Sequence, residues 1–383
     1  MIHIKFDKKH IIFKLLGLKL KVKYPPDYLL MKKFNKHNTD KSTILIIELN
    51  QCHNETIVGY CYYLKQLGYN VEILVNKLSE TDFLNIDNVK VWEFLYDDIL
   101  RLLKYANFSK YERIIFNSNF IYKSRFESVD IMDVCKKLPT GQQPNIYVQH
   151  HLEKINGDIS NKIILANPSD IKEWENNVVN PHYFVENIEH KKNDILSFVV
   201  VGEINRKRKN IDLLLEAVEE LLDKRVDNFQ IKVIGHADSV KISEKLSANI
   251  KILGRLSFQE MYDEVLNSDF ILPLLDKNIV EHERYITQGT SGSFQLSYGF
   301  AKPCVIQKCF AEKYALNNEN AIIYDENEEF SSKLLQAIKL SDSEYQKICR
   351  NLKCTSLNIQ EKSLNNLKSM LNRKREELVA NNV

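Results

Sequence analysis

The sequence lacks the cysteine pattern of a disulfide-bonded secreted domain and the ligand pattern of a zinc site. Its seven cysteines are odd in number and form no CxxC pair. The adjacent His150 and His151 have no further cysteine or histidine at a metal-ligand spacing. We therefore interpret the cysteines as reduced, buried thiols of a cytoplasmic protein, and we predict no metal site.

Long apolar runs, an excess of one charge and a secretory signal are also missing. No stretch of about 18 or more apolar residues is present to span a bilayer. The 53 basic and 51 acidic residues leave a net charge of +2, so nucleic acid is not a predicted partner. The apolar segment IIFKLLGL near the start is interrupted by Lys14 and lacks a small-residue cleavage site. These absences favour a cytoplasmic protein, either soluble or peripheral to a membrane.

What the sequence does contain is an alternation of predicted strands and helices, in two runs. The first run begins with TILIIEL at Thr43 and ends with NIYVQ, and the second begins with FVVVG at Phe198 and ends with AIIYD. We predict an α/β protein with two Rossmann-like domains that face each other across a cleft, and a helical C-terminal segment. The predicted units are a basic extension (1–41), an N-terminal Rossmann-like domain (42–180), a C-terminal Rossmann-like domain (181–340) and helices that pack back towards the N-terminal domain (341–383).

Three local patterns complete this division. Residues 177–184, NVVNPHYF, are predicted to link the two domains. A helix is predicted near Val240 to Leu246. Asp97 and Asp98 precede another predicted helix, and we interpret them as its cap because no third carboxylate is near in sequence.

Lysines are interleaved with apolar residues through the basic extension. Cations beside apolar anchors suit an anionic membrane surface, at about 1 kcal/mol per basic residue near the headgroups. A β-hairpin or strand pair that turns at Gly17 and packs on the first domain, with its lysines solvated, explains the same composition. Both interpretations stay open at this stage.

The most informative segment is FVVVGEINRKRKNIDLLLEA, which begins at Phe198. A β-branched strand ends at Gly202, and a cationic loop containing Arg206, Arg208 and Lys209 leads into an amphipathic helix. The free N–H groups and the dipole of a helix N-terminus favour an anion, so the pattern predicts a diphosphate site. A solvated basic turn is the alternative.

A second loop of small and hydroxylated residues precedes another helix in the same half. Several N–H groups and hydroxyls at such a position suit phosphate oxygens, although a flexible loop with an N-cap serine has the same composition. The predicted phosphate ligands of this loop are Gly289, Thr290, Ser291, Gly292 and Ser293.

Two further strands of this half end in glycine and a polar residue. Gly235 and His236 follow IKVI, and Gly254 and Arg255 follow IKIL. Glycine there lets a flat base approach the backbone, while a turn that needs glycine explains the same residues.

In the first half, polar residues follow two strands. NIYVQ runs into His150, which we predict to face the cleft as a base or as a partner of a substrate hydroxyl, with a surface loop as the alternative. His53, Asn54 and Glu55 follow TILIIEL and either bind a polyhydroxylated molecule or cap the next helix. No GxGxxG fingerprint occurs there, so we predict no nicotinamide or flavin cofactor on this domain.

The residues 198–325 resemble the large retaining family of GT-B glycosyltransferases that use nucleotide-diphospho-sugars. The resemblance rests on VGEINRKRKNIDLLLEA, IKILGRLSFQEMYDEVLNSDFILPLL and SGSFQLSYGFAKPCVI. It implies that Lys209 binds the donor diphosphate, although Glu203 stands where the family usually has an arginine. Counting back from Pro303, the two glutamates of the family signature fall on Gln288 and Leu296, neither of which is acidic.

Other residues are candidates for the roles of those glutamates. Gln288 can hydrogen-bond a sugar, and Gln295 or Ser297 can reach a ribose hydroxyl after a shift of one residue. Glu281 and Glu283 can supply a carboxylate from the preceding loop. The family often places a histidine where His150 stands, which implies a catalytic role for His150 beside Lys209 and Gln288.

The resemblance implies a retaining, metal-independent transferase of bacterial surface polysaccharide synthesis, capsule or lipopolysaccharide. Its expected partners are a nucleotide-sugar donor and a glycan or lipid-linked acceptor, with no separate cofactor. The expected location is the cytoplasm, at the inner face of the plasma membrane if the basic extension binds lipid. A catalytically inactive GT-B binding subunit and a nucleotide-sugar epimerase are the alternatives.

Overall fold

A computed structural model describes most of the chain, and all structural statements here concern that part. The described residues are 3–6, 10–15, 18–23, 28–81, 84, 86–118, 120–124, 127–130, 145–150, 159–165, 175–182, 191–236, 240–287 and 289–373, with backbone only in 3–23 and 120–130. The strands are β1 His3–Phe6, β2 His10–Leu15, β3 Leu18–Lys23, β4 Thr43–Glu48, β5 Asn70–Asn76, β6 Val89–Phe94, β7 Arg113–Phe116, β8 Phe120–Ser124, β9 Glu127–Asp130, β10 Ile146–Gln149, β11 Lys162–Ile164, β12 Leu196–Val201, β13 Phe229–Ile234, β14 Ile250–Gly254, β15 Phe270–Ile271, β16 Val305–Gln307 and β17 Ile322–Tyr324. The helices are α1 Tyr28–Lys36, α2 Ile57–Gln66, α3 Tyr96–Tyr105, α4 Ile211–Asp223, α5 Glu244–Ser247, α6 Phe258–Leu266, α7 Arg284–Thr287, α8 Gly292–Phe300, α9 Lys308–Ala311, α10 Phe330–Lys339 and α11 Asp342–Asn372.

The first half forms a six-stranded parallel sheet in the order β11-β10-β7-β4-β5-β6. All six residues of β4 are buried, as expected for a strand with both faces covered. Helix α1 contributes the fully buried Phe34, whose ring lies 5.2 Å from that of Trp92. The carboxyl ends of β4, β7 and β10 therefore meet at one edge of this sheet.

The second half repeats the arrangement with the parallel order β14-β13-β12-β15. A parallel bridge from Ile271 to Cys304 continues this sheet into the pair β16-β17. Asn210 caps α4, because its side chain accepts a hydrogen bond from the Leu213 N–H. The prediction of two Rossmann-like domains in GT-B arrangement is confirmed.

The C-terminal helices pack on both halves. A capping box formed by Ser341 and Glu344 begins α11. Near its start, the ring of Tyr345 lies 5.5 Å from that of Phe270 in the second sheet. Near its end, Ser363 Oγ accepts from the Asn180 N–H at 3.0 Å, and Arg113 donates to the Leu371 carbonyl at 2.7 Å. Helix α11 thus connects the two halves.

Several local predictions need correction. Asp97 and Asp98 lie inside the first turn of α3 and do not cap it, since Leu95 is the N-cap. The helix predicted near 240–246 is only the four-residue α5, and the predicted linker is largely buried at residues 177–182. The cysteine interpretation is wrong for Cys52 and Cys354, which are exposed, whereas Cys61, Cys304 and Cys349 are buried thiols.

The basic extension contains an antiparallel three-stranded sheet, β1-β2-β3. Leu15 pairs with Leu18 and Lys14 with Lys19, so β2 and β3 are adjacent antiparallel strands. The predicted strand pair is confirmed. The predicted turn at Gly17 and the predicted packing of these strands on the first domain lie outside the described part of the chain. Within the described helices, none is both long and apolar enough to cross a membrane.

Candidate donor and acceptor sites

Lys209 is the centre of the site in the second half. Its side chain is only 5% exposed, although it follows three exposed or half-exposed basic residues. Its Nζ donates to the Pro273 carbonyl at 2.8 Å and to Ser293 Oγ at 3.1 Å. Burial lowers the pKa of the Lys209 ammonium from 10.5 to about 8. Two of its three N–H bonds are used within the protein, which leaves one for a ligand.

The loop before α8 meets this lysine. Ser291 is the N-cap, and its side chain accepts from the Ser293 N–H. Ser291 and Ser293 are buried, Gly289 is buried, Thr290 is half-buried and Gly292 is exposed. The Lys209–Ser293 contact therefore brings the two predicted anion-binding loops together at one helix N-terminus, where partial positive charge accumulates.

A cavity of about 730 Å³ adjoins the cationic loop, and its wall carries both signs of charge. It is lined by Glu203, Asn205, Arg206, Lys207, Arg208, Val280, Glu281, Glu283, Arg284 and Thr287. Arg206 is held in a bidentate pair with Asp212 at 2.6 and 3.0 Å. Lys207 lies 3.7 Å from Glu281, and Arg208 lies 4.0 Å from Glu203. The exposed cations of this loop thus have acidic neighbours, unlike Lys209.

The glycine at the end of β13 is sterically required. A Cβ on Gly235 would lie 1.8 Å from the carbonyl oxygen of Gly202. The Gly235 N–H donates to the Gly254 carbonyl at 2.8 Å, so the three strand-end glycines are stacked side by side. His236 is exposed beside them, whereas Arg255 extends to Glu80 of the first half at 3.4 Å. Arg255 therefore lies at the junction of the halves.

The predicted residues of the first half are also close together. The rings of His53 and His150 stack with centroids 4.1 Å apart, and His150 Nε2 lies 2.6 Å from the Asn117 carbonyl oxygen. Although burial opposes protonation, contacts with Cys52 and Glu55 raise the pKa of His53 well above its usual value. Across the cleft, a Cβ on Gly289 would lie 3.7 Å from the His150 carbonyl oxygen. The two candidate sites therefore adjoin.

Asn54 and Glu55 differ in their environments. Asn54 is 2% exposed and donates to the Glu80 carbonyl at 3.3 Å. Glu55 Oε1 lies 3.8 Å from His53 Nδ1 and is partly exposed. Of the pair, Glu55 is the one available to an acceptor.

Sequence reasoning missed a buried network beneath these histidines. Glu48, 1% exposed, accepts from the Asn50 N–H, Asn117 Nδ2 and Ser118 Oγ at 2.7 to 2.9 Å. Asn117 also donates to the His53 carbonyl at 2.9 Å. Burial raises the pKa of the Glu48 carboxyl. The available signal was a lone carboxylate, Glu48, next to the end of the otherwise apolar run TILIIEL.

The positions of the family glutamates are only partly described. Gln288 lies outside the described residues, and Leu296 is buried in the core. Ser297 Oγ donates to the Lys302 carbonyl at 2.8 Å and is fully buried. Both polar atoms of the Gln295 amide are buried without a hydrogen-bond partner among the described residues. Between the two shifted candidates, Gln295 is thus the one with unused hydrogen-bonding capacity.

No group of three or more histidine, cysteine, aspartate or glutamate side chains in the described part of the chain is arranged to hold a metal ion.

Comparison with known proteins gives a match to one family model over part of the chain, and a similarity of fold. Residues 196–339 match the family model described as glycosyl transferases group 1, which covers less than half of the chain. No curated protein matches this sequence. Among solved structures, a glycosyltransferase from Rickettsia africae ESF-5 is 15% identical over 88% of this chain and 100% of its own, with a TM-score of 0.51.

Two further solved structures are more distant. WaaG, a glycosyltransferase involved in lipopolysaccharide biosynthesis, is 10% identical over 84% of this chain and 98% of its own, with a TM-score of 0.46. TarM is 11% identical over 97% of this chain and 63% of its own, with a TM-score of 0.38. At 15% identity, the likeness to the Rickettsia africae protein concerns the fold alone.

Proposed function

We propose that this chain transfers a sugar from a nucleotide-diphospho-sugar to a glycan or lipid-linked saccharide. Its two Rossmann-like domains and its match to glycosyl transferases group 1 support this function. The reaction retains the anomeric configuration, needs no divalent metal and serves bacterial surface polysaccharide synthesis. The contact between Lys209 and Ser293 carries the proposal, because it joins a buried ammonium to a helix N-terminus inside the matched region.

In this mechanism the donor diphosphate lies against Lys209 and the N-terminus of α8. As the glycosidic bond breaks, negative charge grows on the leaving diphosphate, and a fixed ammonium with fixed N–H groups stabilises that charge more than it stabilises the bound donor. Arg206 and Arg208 line the entrance and attract the donor. These cations take the part that a divalent metal plays elsewhere.

The base and ribose of the donor lie along the strand ends at Gly235, His236, Gly254 and Arg255, with Gln295 as the ribose partner. Gln295 suits this role because its amide has no partner within the described chain. Gln288 contacts the sugar, as the resemblance implies.

The acceptor lies on the other side of the cleft, against His53, Asn54, Glu55 and His150. The stacked imidazoles support this role, since His150 lies next to the Gly289 loop. The acceptor hydroxyl attacks the anomeric carbon from the face that the diphosphate leaves, and configuration is thereby retained.

The basic extension, in this proposal, binds the anionic inner face of the plasma membrane. Its paired strands bring lysines into register, for example Lys14 beside Lys19. Deleting residues 1–27 preserves the buried Phe34 of α1 and tests the idea by pelleting with phosphatidylglycerol vesicles. Unchanged pelleting would contradict it.

The proposed function is tested by a thermal-shift screen of nucleoside diphosphates and nucleotide-sugars, followed by transfer assays. A ligand at 100 times its dissociation constant stabilises the folded state by about 2.7 kcal/mol. We expect one base to stabilise, and sugar transfer to require an acceptor. Binding without transfer or donor hydrolysis would indicate an inactive binding subunit, and donor conversion without acceptor would indicate an epimerase.

A further inference from the structure

His282 is a buried side chain with one satisfied and one unsatisfied nitrogen. It ends the short turn Val280–His282 and is 0% exposed. Its Nδ1 accepts a hydrogen bond from the Asp276 N–H at 2.9 Å. In the neutral imidazole the proton therefore sits on Nε2, which has no partner among the described residues. A buried N–H without an acceptor costs about 1–3 kcal/mol, so its presence needs an explanation.

The same backbone segment holds both His282 and Lys209. Lys209 Nζ bonds to the carbonyl of Pro273, and His282 Nδ1 bonds to the N–H of Asp276, three residues later. The Asn210 N–H, next to Lys209, bonds to the intervening Leu274 carbonyl at 2.8 Å. His282 is thus fixed beside the buried ammonium, and its chain neighbours Glu281 and Glu283 line the cavity.

Burial and the nearby Lys209 ammonium both lower the pKa of His282. Asp276 and Glu281 act in the opposite direction and leave the pKa lowered overall. The imidazole is consequently neutral at physiological pH, and Nε2 offers an N–H without adding a second positive charge beside Lys209.

We propose that His282 is a donor-binding residue whose Nε2–H hydrogen-bonds a diphosphate oxygen of the nucleotide-sugar, next to Lys209; this rests on the proposed function. The diphosphate supplies the acceptor that Nε2 lacks. Because Nε2 and the Lys209 side chain are both buried, the donor reaches them only when the cavity-lining residues after His282, from Glu283 to Thr287, move outward while the Asp276 N–H holds the imidazole in place. Asp276 then acts as the positioning residue, since its N–H fixes the tautomer.

Two substitutions distinguish the contribution of the Nε2–H of His282 from that of the rest of its side chain. His282→Asn keeps an oxygen near Nδ1 to accept from the Asp276 N–H and removes the distal donor. His282→Gln places an amide N–H near the position of Nε2. Loss of one hydrogen bond to a charged group weakens binding about ten-fold or more.

The measurement is calorimetric titration of the wild-type protein and both variants with UDP, GDP, ADP, CDP and dTDP, with unfolding curves as the check on folding. We expect the nucleotide that the wild type binds to bind the Asn variant about ten-fold more weakly and the Gln variant within about three-fold of wild type.

The outcomes distinguish the two proposals. If the wild type binds one nucleotide and the Asn variant binds it equally well, a bound water is the partner of Nε2 and this inference is wrong, while the proposed function stands. Equal weakening in the Asn and Gln variants also overturns it, because the distal N–H is then not the contact. If the wild type binds no nucleoside diphosphate, the proposed function fails first.

Discussion

Replacing Lys209 by methionine removes a buried charge and preserves most of the side-chain volume. At about 1.4 kcal/mol per pH unit, lowering the pKa from 10.5 to about 8 means that the folded state disfavours the ammonium by roughly 3 kcal/mol. The two lost hydrogen bonds, to Pro273 and Ser293, offset part of this gain. We therefore expect Lys209→Met to be at least as stable as wild type at pH 7, by up to about 2 kcal/mol.

The pH dependence of this stability difference has a definite sign. The unfolded lysine keeps its proton up to pH 10.5, whereas the folded one releases it near pH 8. Between these values the unfolded state binds more protons, so wild-type stability rises with pH. The advantage of the methionine variant should be complete below pH 8 and disappear as pH approaches 10.5.

Activity should change in the opposite direction. Removal of a fixed group that stabilises a developing anion costs about 3 kcal/mol, which is more than 100-fold in kcat/KM. Since the proposed mechanism requires the ammonium form of Lys209, we expect wild-type kcat/KM to fall as pH rises through about 8 and this fall to be absent in the variant. Lys207→Met is the matched control, because the Lys207 side chain is 79% exposed and solvent screens its charge. We expect this variant to change kcat/KM by less than about three-fold.

Denaturant unfolding and donor-dependent transfer, both from pH 6 to 10, measure these quantities. A methionine variant with wild-type turnover, or one that is destabilised yet keeps donor affinity, would refute the reasoning. Lys209 would then have only a structural role, in which its hydrogen bonds to Ser293 and Pro273 hold the start of α8 against the segment after β15.

The remaining predictions concern the glycine stack, the buried network and the metal. Gly235→Ala should destabilise the fold by more than about 3 kcal/mol, because its Cβ meets the Gly202 oxygen at 1.8 Å; Gly68→Ala, with φ +84° and open space, should cost only about 1 kcal/mol in the same unfolding assay. Asn117→Asp sets a second carboxylate against Glu48 and should raise the folded pKa of the pair, so this variant should lose more stability than the wild type between pH 5 and pH 8; Ser118→Ala, which removes one hydrogen bond to Glu48 and adds no charge, should show a smaller change in the same direction. Sugar transfer should persist in EDTA after exhaustive dialysis; activity restored only by Mg²⁺ or Mn²⁺ would contradict a metal-independent mechanism.

The fold was predictable because its signals are local. The runs at β4, β5 and β12 are apolar and β-branched enough to identify strands buried on both faces, whereas β13 alternates buried and half-buried residues along most of its length. The helices α4 and α6 begin after Asn210 and Ser257, residue types whose side chains cap helices. A helix that begins without a capping side chain is harder to place from sequence. Helix α3 begins at Tyr96 after Leu95, which has no side chain that can cap it, so Asp97 and Asp98 were predicted to precede the helix although they lie in its first turn.

The candidate site was predictable only where a motif occupies contiguous residues. Lys209 and the loop before α8 were found from sequence, but their contact was not, since 84 residues separate Lys209 from Ser293. The Glu48, Asn117 and Ser118 network forms only when the ends of β4 and β7 become neighbours. His282 had no sequence signal, because its importance comes from the unpaired Nε2 and from the fold around Asp276.

The distribution of charge explains why the buried groups matter more than the exposed ones. Arg206 is already paired with Asp212, and Lys207 and Arg208 lie near Glu281 and Glu203. A donor diphosphate that binds these side chains has to displace acidic partners in water, where an exposed ion pair is worth about 1 kcal/mol or less. Lys209 has only neutral oxygens as partners and lies in a low-dielectric interior, where the same charge acts on a ligand more strongly. In the proposed mechanism, the exposed basic loop therefore attracts and admits the donor, and the buried lysine stabilises the departing diphosphate.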